Sequence, residues 1–158
     1  MSDISTVWLP EIGRGDWLQN GAQLASGNDL VTAILISLFT DRVAAADDVI
    51  PDGSSDSRGW WGDDPANPIG SRLWLLGRAK QVTDTLSRAQ DYITEALQWL
   101  IDDGVVARFD ILTEWTRSGM LGARIIAYEA SGGIIALNSK SVWGSTSASS
   151  AQGLVVTF

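Results

Sequence analysis

A switch of hydrophobic period at Gly104 constrains this chain more than any other feature of its sequence. Upstream, Leu86, Ala89, Ile93, Leu97 and Leu100 recur at spacings of three and four, the pattern of a helix with one buried face. Thr83 or Asp84 is placed to cap that helix, which should run to about Asp103, with Tyr92, Ala96 and Trp99 beside the stripe. Downstream, Val105, Ala107, Phe109, Ile111, Thr113 and Trp115 alternate with Arg108, Asp110, Leu112 and Glu114. That is the period of a half-buried antiparallel strand. Gly104 stands where a helix commonly ends on a left-handed residue.

The strand has partners. Arg117-Ser118-Gly119 predicts a turn into a returning strand over 121–129, with Leu121, Ala123, Ile125 and Ala127 inward. Ser131-Gly132-Gly133 predicts another turn before Ile134-Ile135-Ala136-Leu137. A second helix is expected over Leu30–Arg42, capped by Asn28 or Asp29. Leu30, Ile34 and Leu38 form one stripe and Val31, Leu35 and Phe39 another, so it should be largely buried. The first 27 residues, punctuated by Gly13, Gly15, Gly21 and Gly27, suit one or two short strands. Ser71 can cap a short helix through Leu76. The expected fold is α+β: a buried helix and a long amphipathic helix packed on a small antiparallel β-meander, with a long acidic loop.

Domain organisation follows from the same reading. Residues 1–143 are expected to form a single domain with its long loop at 41–70. Residues 144–153, GSTSASSAQG, have the composition of a flexible linker. Residues 154–158 form a β-prone tail that either folds back on the sheet or adds to a partner's sheet edge.

The charge balance and the missing residue types exclude several functions. The chain contains no Cys and no His, so thiol nucleophiles, imidazole bases, Ser-His-Asp triads and Cys-rich zinc sites are out of reach. Its net charge is −8, and residues 41–64 alone carry seven Asp against two Arg. With no cationic face to displace counterions from phosphates, nucleic-acid binding is not expected. No apolar run approaches the ~18 residues of a membrane span, and the first ten residues lack signal-peptide regions. A soluble protein made in the cytoplasm is the expectation.

Catalytic candidates are few. Nineteen acids guarantee many carboxylate pairs, so pairs alone signal nothing. Glu95 and Glu114 read as solvated surface groups. The Asp-rich loop lacks the ligand spacing of an EF-hand and reads as a solvated charged loop, with a calcium-dependent binding module as a further reading. No metal or cofactor is expected. Eight Trp are many for 158 residues. Trp60 and Trp61 either cover the core or anchor an interface, where Trp is enriched among energetic hot spots.

The middle of the chain resembles a known family. The succession DLVTAILISLFTDR, IPDGSSDSRGWWGD, GSRLWLLGRAK and TLSRAQDYITEALQWLIDDGV is similar to the Mu-like prophage baseplate wedge protein family over roughly residues 15–130. Its most specific elements are Leu38-Phe39-Thr40-Asp41-Arg42, then Asp56 with Arg58-Gly59-Trp60-Trp61-Gly62-Asp63, then Ser71-Arg72-Leu73-Trp74-Leu75-Leu76. The pattern is less recognisable beyond residue 130. The resemblance implies a non-enzymatic structural part of a contractile phage tail baseplate, similar to the wedge or sheath initiator. It implies contacts with other wedge proteins, with the central hub and tube and with the sheath, a place in the virion tail, and no cofactor. Some relatives of the initiator carry a lysozyme label, which makes a carboxylate-dependent tail hydrolase the alternative. Interface residues are expected at Asp56, Arg58, Trp60, Trp61 and Asp63 in the loop. Leu154, Val156 and Phe158 are the further candidates, if the tail adds to a partner's sheet.

Overall fold

A computed structural model describes residues 4–9, 14–27, 29–117, 119–135, 137 and 153–158. The chain opens with two small antiparallel ladders. Strand β1 (Thr6–Leu9) pairs with β2 (Arg14–Trp17), and β3 (Gln19–Asn20) pairs with β4 (Gln23–Leu24). Much of this region is exposed, and a buried hydroxyl ties it to the rest. Thr32 Oγ1 accepts the Thr6 N–H at 3.2 Å and donates to the Ile4 carbonyl at 3.4 Å.

Helix α1 (Asp29–Phe39) carries that threonine and buries Val31, Ile34, Leu35 and Leu38. It stops three residues short of the expected Arg42. The Thr40 carbonyl accepts the Ser71 N–H (2.9 Å), and the Arg42 N–H donates to the Ser71 carbonyl (3.0 Å). These bonds to a distant segment replace the next helical turn. Burial is also narrower than expected, because Ile36 faces solvent.

Ser71 leads into a single 3-10 turn, Leu73–Leu76. Its hydroxyl donates to the Leu38 carbonyl at 2.6 Å, satisfying an orphan acceptor at the end of α1. Helix α2 (Thr83–Asp102) follows, burying Ala89, Tyr92, Ile93, Ala96, Leu97 and Leu100 on the expected face. Neither Thr83 nor Asp84 caps it. Val82 occupies that position in extended conformation, and Thr85 Oγ1 instead donates to the Lys80 carbonyl (2.6 Å).

The end of α2 is as the sequence implies. Gly104 has φ +71° and donates to the Ile101 carbonyl, while Val105 donates to Leu100, both at 3.0 Å. This paired pattern is the Schellman motif. It takes up Val105, which is exposed, so the alternation is offset at its start and Val106 is the buried residue.

Strand β5 (Arg108–Arg117) then pairs with β6 (Met120–Tyr128) in antiparallel register, Ile111 opposite Ile125 and Trp115 opposite Leu121. The sheet has four strands rather than three. Beside β6, opposite β5, lie β7 (Ile134–Ile135) and β8 (Leu154–Thr157). Ala123 faces Val156 and Ile125 faces Leu154. Leu154 and Val156 are fully buried, and the Phe158 ring stacks on Phe39 at 5.1 Å between centroids. The terminal residues therefore belong to this chain's own sheet. Apart from Gly153, the expected linker over 144–153 lies outside the described residues. One hydrophobic core joins α1, α2 and the inner sides of β6 and β8.

Candidate functional site

The three motifs most specific in sequence converge in space. Residues 40–42 and 71 run side by side through the hydrogen bonds given above, with a parallel bridge between Asp41 and Ser71. The loop motif is fastened on top of them. Arg58 Nη1 meets Asp41 Oδ2 at 2.6 Å, and the guanidinium lies 4.5 Å from the ring centroid of Trp74. Trp74 Nε1 in turn donates to the Arg42 carbonyl at 2.9 Å.

Nearly half the side-chain surface of both Arg58 and Asp41 is exposed, so this ion pair adds at most about 1 kcal/mol. Its effect is geometric. Arg58 has φ +52°, a conformation that costs a non-glycine residue about 1–2 kcal/mol. The ion pair, the stacking on Trp74 and a hydrogen bond from its N–H to Asp56 Oδ1 (2.9 Å) together hold it there.

The loop's acidity has a local cause. Asp48 accepts the Ala45 N–H, Asp52 that of Ser54 and Asp64 that of Ala66, each at 2.8–2.9 Å. Asp63 accepts the Ile69 N–H at 3.0 and 3.2 Å, closing the segment that follows the paired Trp. These carboxylates brace turns, Asp52 and Asp64 by bonding the backbone two residues on, Asp48 by reaching three residues back and Asp63 six residues ahead. The loop is not merely a solvated charge run. Among the described residues, no three acidic side chains come together to hold a metal ion.

The braced loop presents Trp60 and Trp61, with ring centroids 5.6 Å apart. Trp61 is 93% exposed and Trp60 48%, so Trp61 does not fold back over the core. Gly62 leaves room for the Trp60 ring, since a Cβ there would lie 2.7 Å from it and would displace that half-exposed indole. Of the eight expected interface residues, Asp56, Arg58, Trp60, Trp61 and Asp63 thus share one surface feature. Leu154, Val156 and Phe158 are packed against this chain's own sheet and helix instead, so of the two outcomes open to the tail it takes the fold-back, and these three are not offered to a partner.

Below the loop lies a charge network that the sequence reading missed. Arg72 bonds Glu95 at 2.9 Å and Asp48 at 3.0 Å, and its guanidinium lies over Tyr92 at 4.8 Å. Arg42 adds a longer contact to Glu95 at 3.9 Å. Burial opposes the charge on Arg72, yet its hydrogen bonds to Glu95 and Asp48 outweigh that and hold its pKa above the ordinary arginine value. Glu95 is therefore half-buried and doubly engaged, not a solvated surface group. The available signal was an arginine inside the apolar run Ser71–Leu76, which a surface arginine rarely needs.

Arg72→Met should leave Asp48 and Glu95 without their main cation. Full burial would cost ~3–5 kcal/mol, and partial exposure reduces this to about 2. The expected drop in melting temperature is roughly 4–8 °C by calorimetry. A drop under about 1 °C would show that the network adds nothing.

The geometry defines a small α+β domain whose acidic loop, braced by its own carboxylates, displays two indoles. The profile of the family described as "Phage protein GP46" matches residues 30–133. Baseplate protein gp46 of Escherichia phage Mu is 48% identical over 122 residues, covering 77% of this chain and 83% of that protein. Mu-like prophage FluMu protein gp46 of Haemophilus influenzae is 37% identical over 128 residues, covering 80% and 86% respectively. The chain belongs to the GP46 family of phage proteins, the Mu-like baseplate family that its central motifs resemble.

Proposed function

We propose that this chain is a structural component of a phage tail baseplate, of the wedge or sheath-initiator type found in contractile tails. It acts by protein–protein assembly and not by catalysis. The baseplate protein gp46 of phage Mu, 48% identical to this chain, supports the baseplate role. The observation that carries the assembly reading is Trp61, 93% exposed on a loop that is already held in shape. A pre-ordered aromatic anchor loses little conformational entropy on docking, which is the property of an interface hot spot. Its partners are other wedge proteins, the hub and tube, and the sheath. The protein is made in the host cytoplasm and ends in the virion tail. No observation favours the hydrolase alternative: Glu95 is engaged by two arginines, and Glu114 stands exposed on β5.

The test uses Trp61→Ala. Loss of a hot-spot ring should cost about 2 kcal/mol or more of binding, roughly 30-fold in affinity. Incorporation into purified tail particles should collapse while melting stays within about 1 °C of wild type. Normal incorporation would remove Trp61 from the interface. A wild-type chain absent from tail particles would end the baseplate reading itself.

A further inference from the structure

A second surface is built for a partner on the other side of residues 66–70. There α1, α2 and that segment enclose a cleft of about 750 Å³. Ile36, Ile69 and Trp99 line it and remain 50%, 45% and 45% exposed, the kind of contiguous apolar lining that marks an interaction groove. Trp99 is fixed in place, because Nε1 donates to the buried Ser37 hydroxyl at 3.0 Å. Its polar edge is satisfied within the chain, and its apolar face is what remains to be covered.

Charge selects the occupant. Arg42 also lines the cleft, but its guanidinium lies beside Glu95. Asp29 and Asp102 line it as well, with Asp103 next in the chain. Asp102 accepts a hydrogen bond from Gln98 and meets no cation among the described residues. The last turn of α2 holds no basic residue, so Asp102 and Asp103 add negative charge where the helix dipole is already negative. A cation from outside the chain would relieve both.

We propose that this cleft docks a segment of a different baseplate protein, one that sets apolar side chains beside Lys or Arg. A second copy of this chain is the poorer match, because its net charge of −8 would bring like charges together. The apolar residues fill the space over Ile36, Ile69 and Trp99, and the cation settles by Asp102. This is the groove mode of peptide recognition with a charged selector at one end.

The proposal rests on the assembly reading, and the experiment separates the two. Wild type, Trp61→Ala, Ile36→Glu and Asp102→Lys are compared for incorporation into tail particles and for melting. A benzophenone amino acid placed at position 36 of the full chain identifies what covers the cleft. Ile36→Glu and Asp102→Lys should each lower incorporation at least about tenfold. Asp102→Lys should meanwhile melt at or above the wild-type temperature, since it corrects the helix-end charge. The cross-link should map to a Lys- or Arg-bearing apolar segment of another tail protein. Normal incorporation of Asp102→Lys, or a cross-link to a second copy or to an acidic segment, overturns the cleft and leaves the baseplate reading standing. Absence of wild type from the particles ends both. Should Ile36→Glu fail to fold, Asp102→Lys and the cross-link still decide.

Discussion

A chain ending at Gln152 is expected to lose about 5 kcal/mol of stability and roughly 10–20 °C of melting temperature. The reason is the placement of β8. Leu154 and Val156 are fully buried against β6, and each such side chain contributes ~1.5–3 kcal/mol by leaving water. Phe158 adds its stack on Phe39, and its backbone bonds Leu121 in both directions. Total stability for a domain is ~5–15 kcal/mol, so this truncation takes a large share of it. At ~2–4 °C per kcal/mol for a chain of this size, the shift is easily read by calorimetry. Leu154→Ala alone should cost about 2–4 kcal/mol through the cavity it leaves. A truncated chain that melts like wild type would mean that these residues do not pack in the core. The prediction also governs how assembly defects are read. A truncation that fails to join tails has lost its own fold before it has lost any partner.

The legible parts of this fold were those with local causes. The stripe from Leu86 to Leu100 sets the buried face of α2, and Gly104 ends it, because both depend on residues within two turns of each other. The inward row Leu121, Ala123, Ile125 and Ala127 was legible for the same reason. Phase was lost where a local motif absorbed a residue: the Schellman turn uses Val105, and Val106 becomes the buried one. Other features depend on contacts that no window contains. Asp41 and Ser71 are thirty residues apart in sequence, and nothing near either announces their pairing. Arg42, Arg72 and Glu95 looked like separate charges for that reason, and Glu95 looked solvated. The terminal strand had one local signal compatible with two outcomes, and only the free side of β6 decides between them. In the loop, Trp60 and Trp61 stood out by type. The bracing that displays them did not, because an aspartate that caps a turn and one that faces water look alike in a sequence.

Gly70→Ala should be the most damaging single-methyl change in this protein, at about 4 kcal/mol. Gly70 is buried with φ +91°, a region where an L-residue is strained by ~1–3 kcal/mol. A Cβ there would also lie 2.3 Å from the Thr40 carbonyl oxygen and 2.9 Å from its carbon. These are backbone atoms, so no rotamer can relieve the contact. The same carbonyl accepts the Ser71 N–H, and the Arg42 N–H is 3.1 Å from the added atom. Pushing the two segments apart sacrifices two hydrogen bonds worth ~1 kcal/mol each. It would also move Arg42 and Arg72 away from Glu95, the acid they share. The expected loss is about 8–16 °C in melting temperature. Gly53→Ala isolates the strain, because Gly53 has φ +72° but nothing within 4 Å of its would-be Cβ. It should cost about 1 kcal/mol. If the two variants melt alike, the close crossing of residues 40–42 with 70–71 is not what holds the motifs together. If Gly70→Ala is the worse by several degrees, the convergence of the three motifs rests on that one missing side chain.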